Sequence, residues 1–361
     1  MQKETYILLL ACALGFAGAL AWRFGSPAGQ PAERSVETAA VQRIADYDAT
    51  IAALSEFDPA LILYHETGSL VPDGLEALTA IAVDVEDRIY AGGGDAVVVL
   101  DSQGSIVRRI KLDGSVSCLA VDPGMRLYVG LGDTVQVFDP AGVPVAVFRD
   151  LPARAMVTSL AATEDAVFVA DANSRTVMRF APDGTLQQVN DGKGGQSDAA
   201  GFVIPSPSFD ITPGQAGTLW VVNPGRQRLE EYNHNAERIR VWDERPGMEI
   251  EAFCGCCNPA HIARLSDGTI VTSEKGLLRI KLYSPRGQFL GVVAAPSQFD
   301  DADITLDLAV DSRDRILVAD PARRQVRIFE RTVKRDEGSV TPFSGGVLSC
   351  VSVLYSLFSM Q

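Results

Sequence analysis

From Leu78 onward the chain repeats one pattern six times, and this repeat constrains the fold more than any other feature. Each unit holds a short apolar segment, a turn, a β-rich segment, a second turn and a third alternating segment. One hydrophobic position marks the second strand of the successive units: Tyr90, Tyr128, Phe168, Trp220, Ile270 and Leu317. A repeat of roughly 40 to 50 residues with turns between β-rich segments is typical of a propeller. The sequence therefore predicts an all-β fold, a six-bladed β-propeller with four strands in each blade.

The turns and the end of the repeat support this interpretation. Glycines that can supply the positive φ of tight hairpins recur at one turn: Gly104, Gly142, Gly184 and Gly287. The sixth unit ends after its third strand, near Arg331, so a fourth strand has to come from elsewhere. We expect residues 61–65 (LILYH) to supply it, because closing the ring removes exposed sheet edges. The predicted propeller domain spans residues 61–331.

Several segments have sequences that match a known repeat motif: AVDVEDRIYAG, AVDPGMRLYVG with TVQVFDPAG, VFVADANSRTVMRFAPDG and AVDSRDRILVADPARRQVRIF. They resemble NHL repeats, in which a V-A-V-D strand is followed by an I-Y-V-A-D strand and a D-x-x-G turn. The resemblance covers residues 78–331 and is weakest in the fourth unit. It implies a scaffold that binds a protein partner or a small ligand on one of its faces, but it implies no single chemistry.

Enzymes occur among related six-bladed propellers, but this chain lacks residues that two of those enzyme classes need. Lactonase-type sites need a set of Glu, Asn and Asp ligands around the channel, and no acidic opening segment matches that set. Amidating lyases need several histidines, whereas this chain has only His65, His234 and His261. The same scarcity argues against a three-histidine zinc site.

The N-terminus is predicted to be a membrane segment. Tyr6 to Trp22 is apolar and uncharged, and as a helix it would rise roughly 25 Å, near the lower limit for crossing a bilayer. A membrane anchor within residues 1–24 is favoured over a cleaved signal peptide and over a lipoprotein signal at Cys12. Each alternative places the rest of the chain outside the cytoplasm, on the periplasmic or extracellular side, and the anchor and repeat style favour a bacterial envelope.

Two further segments flank the predicted propeller. Residues 25–60 combine a hinge, GSPAGQP, with an amphipathic helix. One apolar stripe marks that helix: Val36, Ala40, Ile44, Tyr47, Ile51 and Leu54. It would lie on the next domain or pair with a second copy. The tail, residues 332–361, contains VLSCVSVLYSLF, which is too short to span a bilayer, and its structure is left open.

The charge of the chain limits its partners. The formal net charge is −14, and a surface this acidic repels phosphate backbones. Nucleic acid is therefore not expected as a partner, while basic or cationic partners are compatible.

The segment FCGCCNPAH is the one chemically distinctive motif. Cys254, Cys256, Cys257 and His261 could bind a metal, since thiolates suit zinc, copper(I) or an iron–sulfur cluster. Cys254 and Cys257 also have the spacing of a disulfide or redox pair. Outside the cytoplasm a structural disulfide is also expected, and it is the alternative that the sequence favours first. By contrast, Cys118 stands alone and is expected to be a buried, small apolar residue.

Three functions follow from this sequence, in descending order of support. The first is a membrane-tethered binding or scaffold propeller of the envelope, with no catalytic residue assigned. The second is a redox or metal protein that uses the Cys254–Cys257 cluster to handle electrons or an ion. The third is a lactonase-like or lyase-like enzyme.

Overall fold

The computed structural model describes residues 57–194, 199–247, 249–255, 257–300 and 305–332. The predicted anchor, almost all of the hinge and helix, and the tail beyond residue 332 lie outside these ranges. Within them, no helix is long and apolar enough to cross a membrane.

Six antiparallel four-stranded sheets make up the described structure, as the repeat predicts. Blade 1 contains β2 (Ala80–Val83), β3 (Ile89–Gly93), β4 (Ala96–Leu100) and β5 (Ile106–Lys111). Blade 2 contains β6 (Cys118–Val121), β7 (Leu127–Leu131), β8 (Thr134–Phe138) and β9 (Pro144–Phe148). Blade 3 contains β10 (Val157–Ala162), β11 (Val167–Asp171), β12 (Thr176–Phe180) and β13 (Leu186–Asn190).

The second half of the ring has the same organisation. Blade 4 contains β14 (Ile211–Pro213), β15 (Leu219–Asn223), β16 (Arg228–Tyr232) and β17 (Arg238–Val241). Blade 5 contains β18 (His261–Arg264), β19 (Ile270–Ser273), β20 (Ile280–Tyr283) and β21 (Phe289–Ala294). Blade 6 contains β22 (Leu308–Val310), β23 (Ile316–Asp320), β24 (Gln325–Arg331) and β1 (Tyr64–Leu70).

The N-terminal strand closes the ring. β1 pairs antiparallel with β24, from Tyr64 opposite Arg331 to Leu70 opposite Val326. The predicted donor, residues 61–65, identified the correct place in the chain but began too early. Residues 62 and 63 instead reach the outer strand of blade 5, where the Leu63 amide donates to the Val292 carbonyl at 2.8 Å.

Hydrophobic packing between neighbouring blades explains why the sheets are buried on both faces. Tyr90 of blade 1 packs with Val129 of blade 2 in one cluster, and Tyr128 of blade 2 packs with Val169 of blade 3 in the next. A twisted sheet cannot bury both faces alone, so each blade depends on its two neighbours.

The marker position holds in every blade except the fifth. Tyr90, Tyr128 and Leu317 each pair with an alanine in the inner strand of their own blade. In blade 5 the residue that pairs with the corresponding Ala263 is Val271, so the sequence register predicted with Ile270 was wrong by one residue.

The aspartates that follow three inner strands act as turn caps. Asp84 accepts hydrogen bonds from the Glu86 and Arg88 amides, both at 2.9 Å. Asp122 and Asp311 accept from the amide four residues later in the same way. Each also pairs with the arginine at that position, so the carboxylates are used within their own turns.

The strand order gives the ring two different faces. Every inner strand begins at the end where the chain arrives from the preceding blade, which we call the connector face. The opposite, turn face carries the hairpins between the first and second strands. Connectors 191–210, 242–260 and 295–307 are long, whereas connectors 112–117 and 149–156 are short. The extra length of blades 4 to 6 therefore lies on one face.

Candidate functional site

The three long connectors converge on one group of titratable side chains. Connector 191–210 ends with Asp210, and connector 295–307 ends with Asp307. His261 begins β18 directly after connector 242–260. We call these three residues the mouth cluster. They lie at the connector-face end of the central channel, in three successive blades.

The geometry of the mouth cluster is tight. His261 Nδ1 lies 3.4 Å from Asp307 Oδ1 and 3.6 Å from Asp210 Oδ2. The side chains are only 9 to 18% exposed. An imidazole in this position can hold one proton between two carboxylates.

Both carboxylates also join blades to one another. Asp210 of blade 4 accepts a hydrogen bond from the Ile262 amide of blade 5 at 2.7 Å. Asp307 of blade 6 accepts from the Ile81 amide of blade 1 at 2.8 Å and from the Leu308 amide at 2.9 Å. Because buried amides need acceptors, these bonds fix the positions of the carboxylates.

Burial and mutual charge shift the protonation of this cluster. Burial raises the pKa of Asp307 to about 6, although the His261 charge lowers it. Burial opposes protonation of His261, but the adjacent Asp210 and the charge of Asp307 outweigh it and raise the pKa of the imidazole. A neighbouring cation or a hydrogen-bonding ligand would therefore change the protonation of His261 and Asp307.

The mouth opens onto a cavity of about 250 Å³ in the central channel. All six inner strands line it, and its surface is more polar than apolar, with Ser159 and Thr212 among the polar side chains. That space suits a few waters, a small ligand or one inserted side chain.

Cys118 lines the same channel but has the inert character that the sequence predicts. Its thiol is buried and free, and it packs with Tyr128 and Val157. Burial raises the pKa of the Cys118 thiol to about 12. A thiol in this state is a poor nucleophile.

The cysteine motif also lies on the connector face, in the connector that leads to β18. Cys254 and Cys257 are half-buried, and the Cys254 thiol is free. Cys256 lies outside the described residues. The metal set of Cys254, Cys256, Cys257 and His261 and the pairing of Cys254 with Cys257 thus stay predictions. In the part of the chain that the structure describes, no three His, Cys, Asp or Glu side chains form a group able to hold a metal ion.

A set of buried charges beneath this motif was not found from the sequence. Glu274, Arg279 and Lys281 of blade 5 are fully buried. Asp210 and Asp307 were missed as well. Their one signal was positional, since each directly precedes the inner strand of its blade.

The fold is shared with solved structures of low sequence identity. The structure of streptogramin B lyase matches with a TM-score of 0.53 at 13% identity, covering 76% of this chain and 100% of that chain. The WD40 propeller domain of Doa1 matches with a TM-score of 0.49 at 17% identity, covering 71% of this chain and 79% of that chain.

A third structure, a protein of unknown function from Bacteroides caccae, matches with a TM-score of 0.49 at 12% identity, covering 66% of this chain and 87% of that chain. No protein-family model matches the chain. No curated protein matches it significantly. At 13% identity, the similarity to the streptogramin B lyase structure shows the fold alone and leaves the chemistry of this chain to its own residues.

Proposed function

We propose that this chain is a membrane-tethered envelope propeller of NHL type that binds a protein partner or ligand with its connector face. The observation that carries the proposal is the convergence of three long connectors on the mouth cluster. In repeat proteins, insertions that collect on one face commonly form the binding surface.

The carboxylates of the opposite, turn face already have cationic partners. Its turn aspartates are occupied by their own backbone amides and by arginines of the same turns. Each face presents an exposed apolar residue: Val85 on the turn face and, on the connector face, Met156, whose residue surface is 46% exposed, beside the inner strand of blade 3. An exposed methionine next to a polar opening is a common component of protein-binding surfaces.

Charge favours a partner with a basic segment. The chain carries a formal net charge of −14, and two carboxylates stand at the channel mouth. A lysine or arginine side chain entering the mouth would find both carboxylates within reach, and opposite charge speeds such encounters.

A matched pair of arginine substitutions tests which face binds. Met156→Arg changes the connector face, and Val85→Arg changes the turn face, where Val85 is 64% exposed. We expect partners captured by the full chain from native membranes to be lost with Met156→Arg and retained with Val85→Arg. Equal capture by both variants, or loss with Val85→Arg alone, would show that the connector face is not the binding surface.

A further inference from the structure

Blade 5 contains a fully buried group of ions, which we call the blade-5 charge network. It consists of Glu274, Arg279 and Lys281, whose side chains are at most 1% exposed. Glu274 Oε2 accepts from Arg279 Nε, and Glu274 Oε1 lies 3.2 Å from Lys281 Nζ. Removing ions from water is costly, so such a network is stable only where further hydrogen bonds compensate for the lost hydration.

The network fixes the chain on the N-terminal side of Cys254. Lys281 Nζ donates to the Ala252 carbonyl at 2.6 Å and to the Ile250 carbonyl at 3.0 Å. The Cys254 amide itself donates to Glu274 Oε1 at 3.2 Å. Side chains from β20 and the turn before it therefore determine where Cys254 lies.

The chain after Cys254 is fixed as firmly. Asn258 Nδ2 donates to the Cys254 carbonyl at 2.6 Å, which closes a short loop. The Asn258 side chain also accepts from the Lys275 amide at 2.9 Å. Gly255 has a φ of +81°, which permits this tight path. Cys254 and Cys257 thereby belong to one loop that Asn258 closes, and both residues are half-buried.

The charges of the network do not balance. Two cations, Arg279 and Lys281, share one carboxylate, Glu274. Burial lowers the pKa of Lys281 to about 8, while Glu274 acts in the opposite direction. Glu274 Oε1 accepts from both Lys281 Nζ and the Cys254 amide, so Cys254 lies beside a buried cation, and reactive cysteines are commonly found next to lysine or arginine.

We propose that Cys254 is the nucleophile of a thiol–disulfide exchange site that acts on a disulfide of a partner protein, with Cys257 as the resolving thiol. This site is separate from the partner-binding role of the mouth cluster. His261 Nδ1 faces Asp210 and Asp307 in the mouth cluster.

The exchange transfers two electrons from the cysteine pair to the partner disulfide. The Cys254 thiolate attacks one sulfur of the partner disulfide, that S–S bond breaks, and the electron pair leaves with the second sulfur, which takes a proton from water. The Cys257 thiolate then attacks Cys254 Sγ, and the mixed disulfide breaks. The partner has gained two electrons as a dithiol, and Cys254 and Cys257 have become a disulfide. The reverse sequence oxidises a partner dithiol.

Trapping with oxidised glutathione tests the roles of the two thiols in the reduced full chain. Wild type is expected to form the Cys254–Cys257 disulfide without retaining glutathione. Cys257→Ser should retain glutathione on Cys254, and Cys254→Ser should form neither product. Cys256→Ser is expected to react as wild type does. If Cys256→Ser traps the adduct instead, or if Cys257→Ser and wild type give the same products, the proposed pair is wrong.

The role of the network is tested by alkylation, with peptide mass mapping to assign the reacting thiol. Iodoacetamide should modify Cys254 in the reduced full chain and leave the buried Cys118 unmodified. Lys281→Gln removes the cation that binds the Ile250 and Ala252 carbonyls, so the rate of modification at Cys254 should fall severalfold in a chain that circular dichroism shows to be folded. A Cys254 that iodoacetamide does not modify in wild type, or a stoichiometric metal that protects the thiols in the purified protein, would overturn the proposal without requiring the variant.

Discussion

At the scale of single residues, the mouth cluster couples stability to pH. The folded-state pKa of Asp307 is raised to about 6 from an ordinary value of 3.8, and that of His261 is raised above 6.5. Groups with raised pKa values bind protons more tightly in the folded state, so their contribution is present at low pH and is lost as pH rises. For Asp307 the loss runs from about pH 4 to about pH 6, and for His261 it begins near pH 6.5.

We therefore expect the free energy of unfolding to fall by on the order of 1 to 2 kcal/mol between pH 5 and pH 7.5. Asp307→Asn should flatten this slope, because it removes one titrating group and one charge that raises the pKa of His261. Urea unfolding at a series of pH values measures it. Asp101→Asn, in the β4–β5 turn, is the control and should keep the wild-type slope. A slope that survives in Asp307→Asn would contradict this account of the cluster.

A second prediction at this scale concerns the blade-5 charge network. Glu274→Gln leaves Arg279 and Lys281 buried without their anion, and breaking a buried pair in this way costs about 3 to 5 kcal/mol. Glu86→Gln is the matched surface control, since Glu86 is 58% exposed and only 3.5 Å from Arg88, and its loss should cost under about 1 kcal/mol. Denaturant unfolding of both variants gives the comparison. Similar small losses would mean that the network does not stabilise the blade.

At the scale of elements, closure of the ring depends on how β1 is anchored. Tyr64 is 2% exposed and packs among Leu265, Val293 and Phe329, where blades 5 and 6 meet. Tyr64→Ala should lower the free energy of unfolding by about 3 to 5 kcal/mol, because a large side chain is removed from a packed core. Val71→Ala, at a residue that is 51% exposed just after the strand, should change it by less than about 0.5 kcal/mol. A loss below about 1 kcal/mol for Tyr64→Ala would show that β1 is dispensable.

Elements were also the level at which sequence reasoning succeeded. The repeat predicted six blades and a closing strand near the N-terminus, because strand alternation and turn glycines are local signals. The strands of the fourth and fifth units were harder to align, which explains the one-residue error at Ile270. Such an error arises because a short strand carries little information about its register.

The candidate sites required long-range information that no local pattern carries. Asp210 and Asp307 come from different blades and meet at His261 only because the ring places the starts of the inner strands around one channel. In β20, Ile280 and Leu282 alternate with Lys281, a pattern typical of a strand with one solvated face. The structure buries both faces, because the chain around Ala252 covers the polar one and accepts its hydrogen bonds.

At the scale of the whole molecule, the proposed function requires a membrane tether in residues 1–24, which remains a prediction. Full-length protein should remain in the membrane pellet after a high-salt wash, because an apolar helix is held by burial rather than by charge. A variant that lacks residues 1–24 should move to the soluble fraction. Immunoblotting of the fractions measures both. Release of the full chain by salt alone would contradict the proposed anchor.

The most direct test of the proposed function is amide hydrogen exchange of the full chain with and without a captured partner. We predict slower exchange in connectors 191–210, 242–260 and 295–307 when the partner is bound, with the turns that contain Asp84, Asp122 and Asp311 unchanged. Protection confined to those turns, or to the outer strands, would contradict the claim that the connector face is the binding surface.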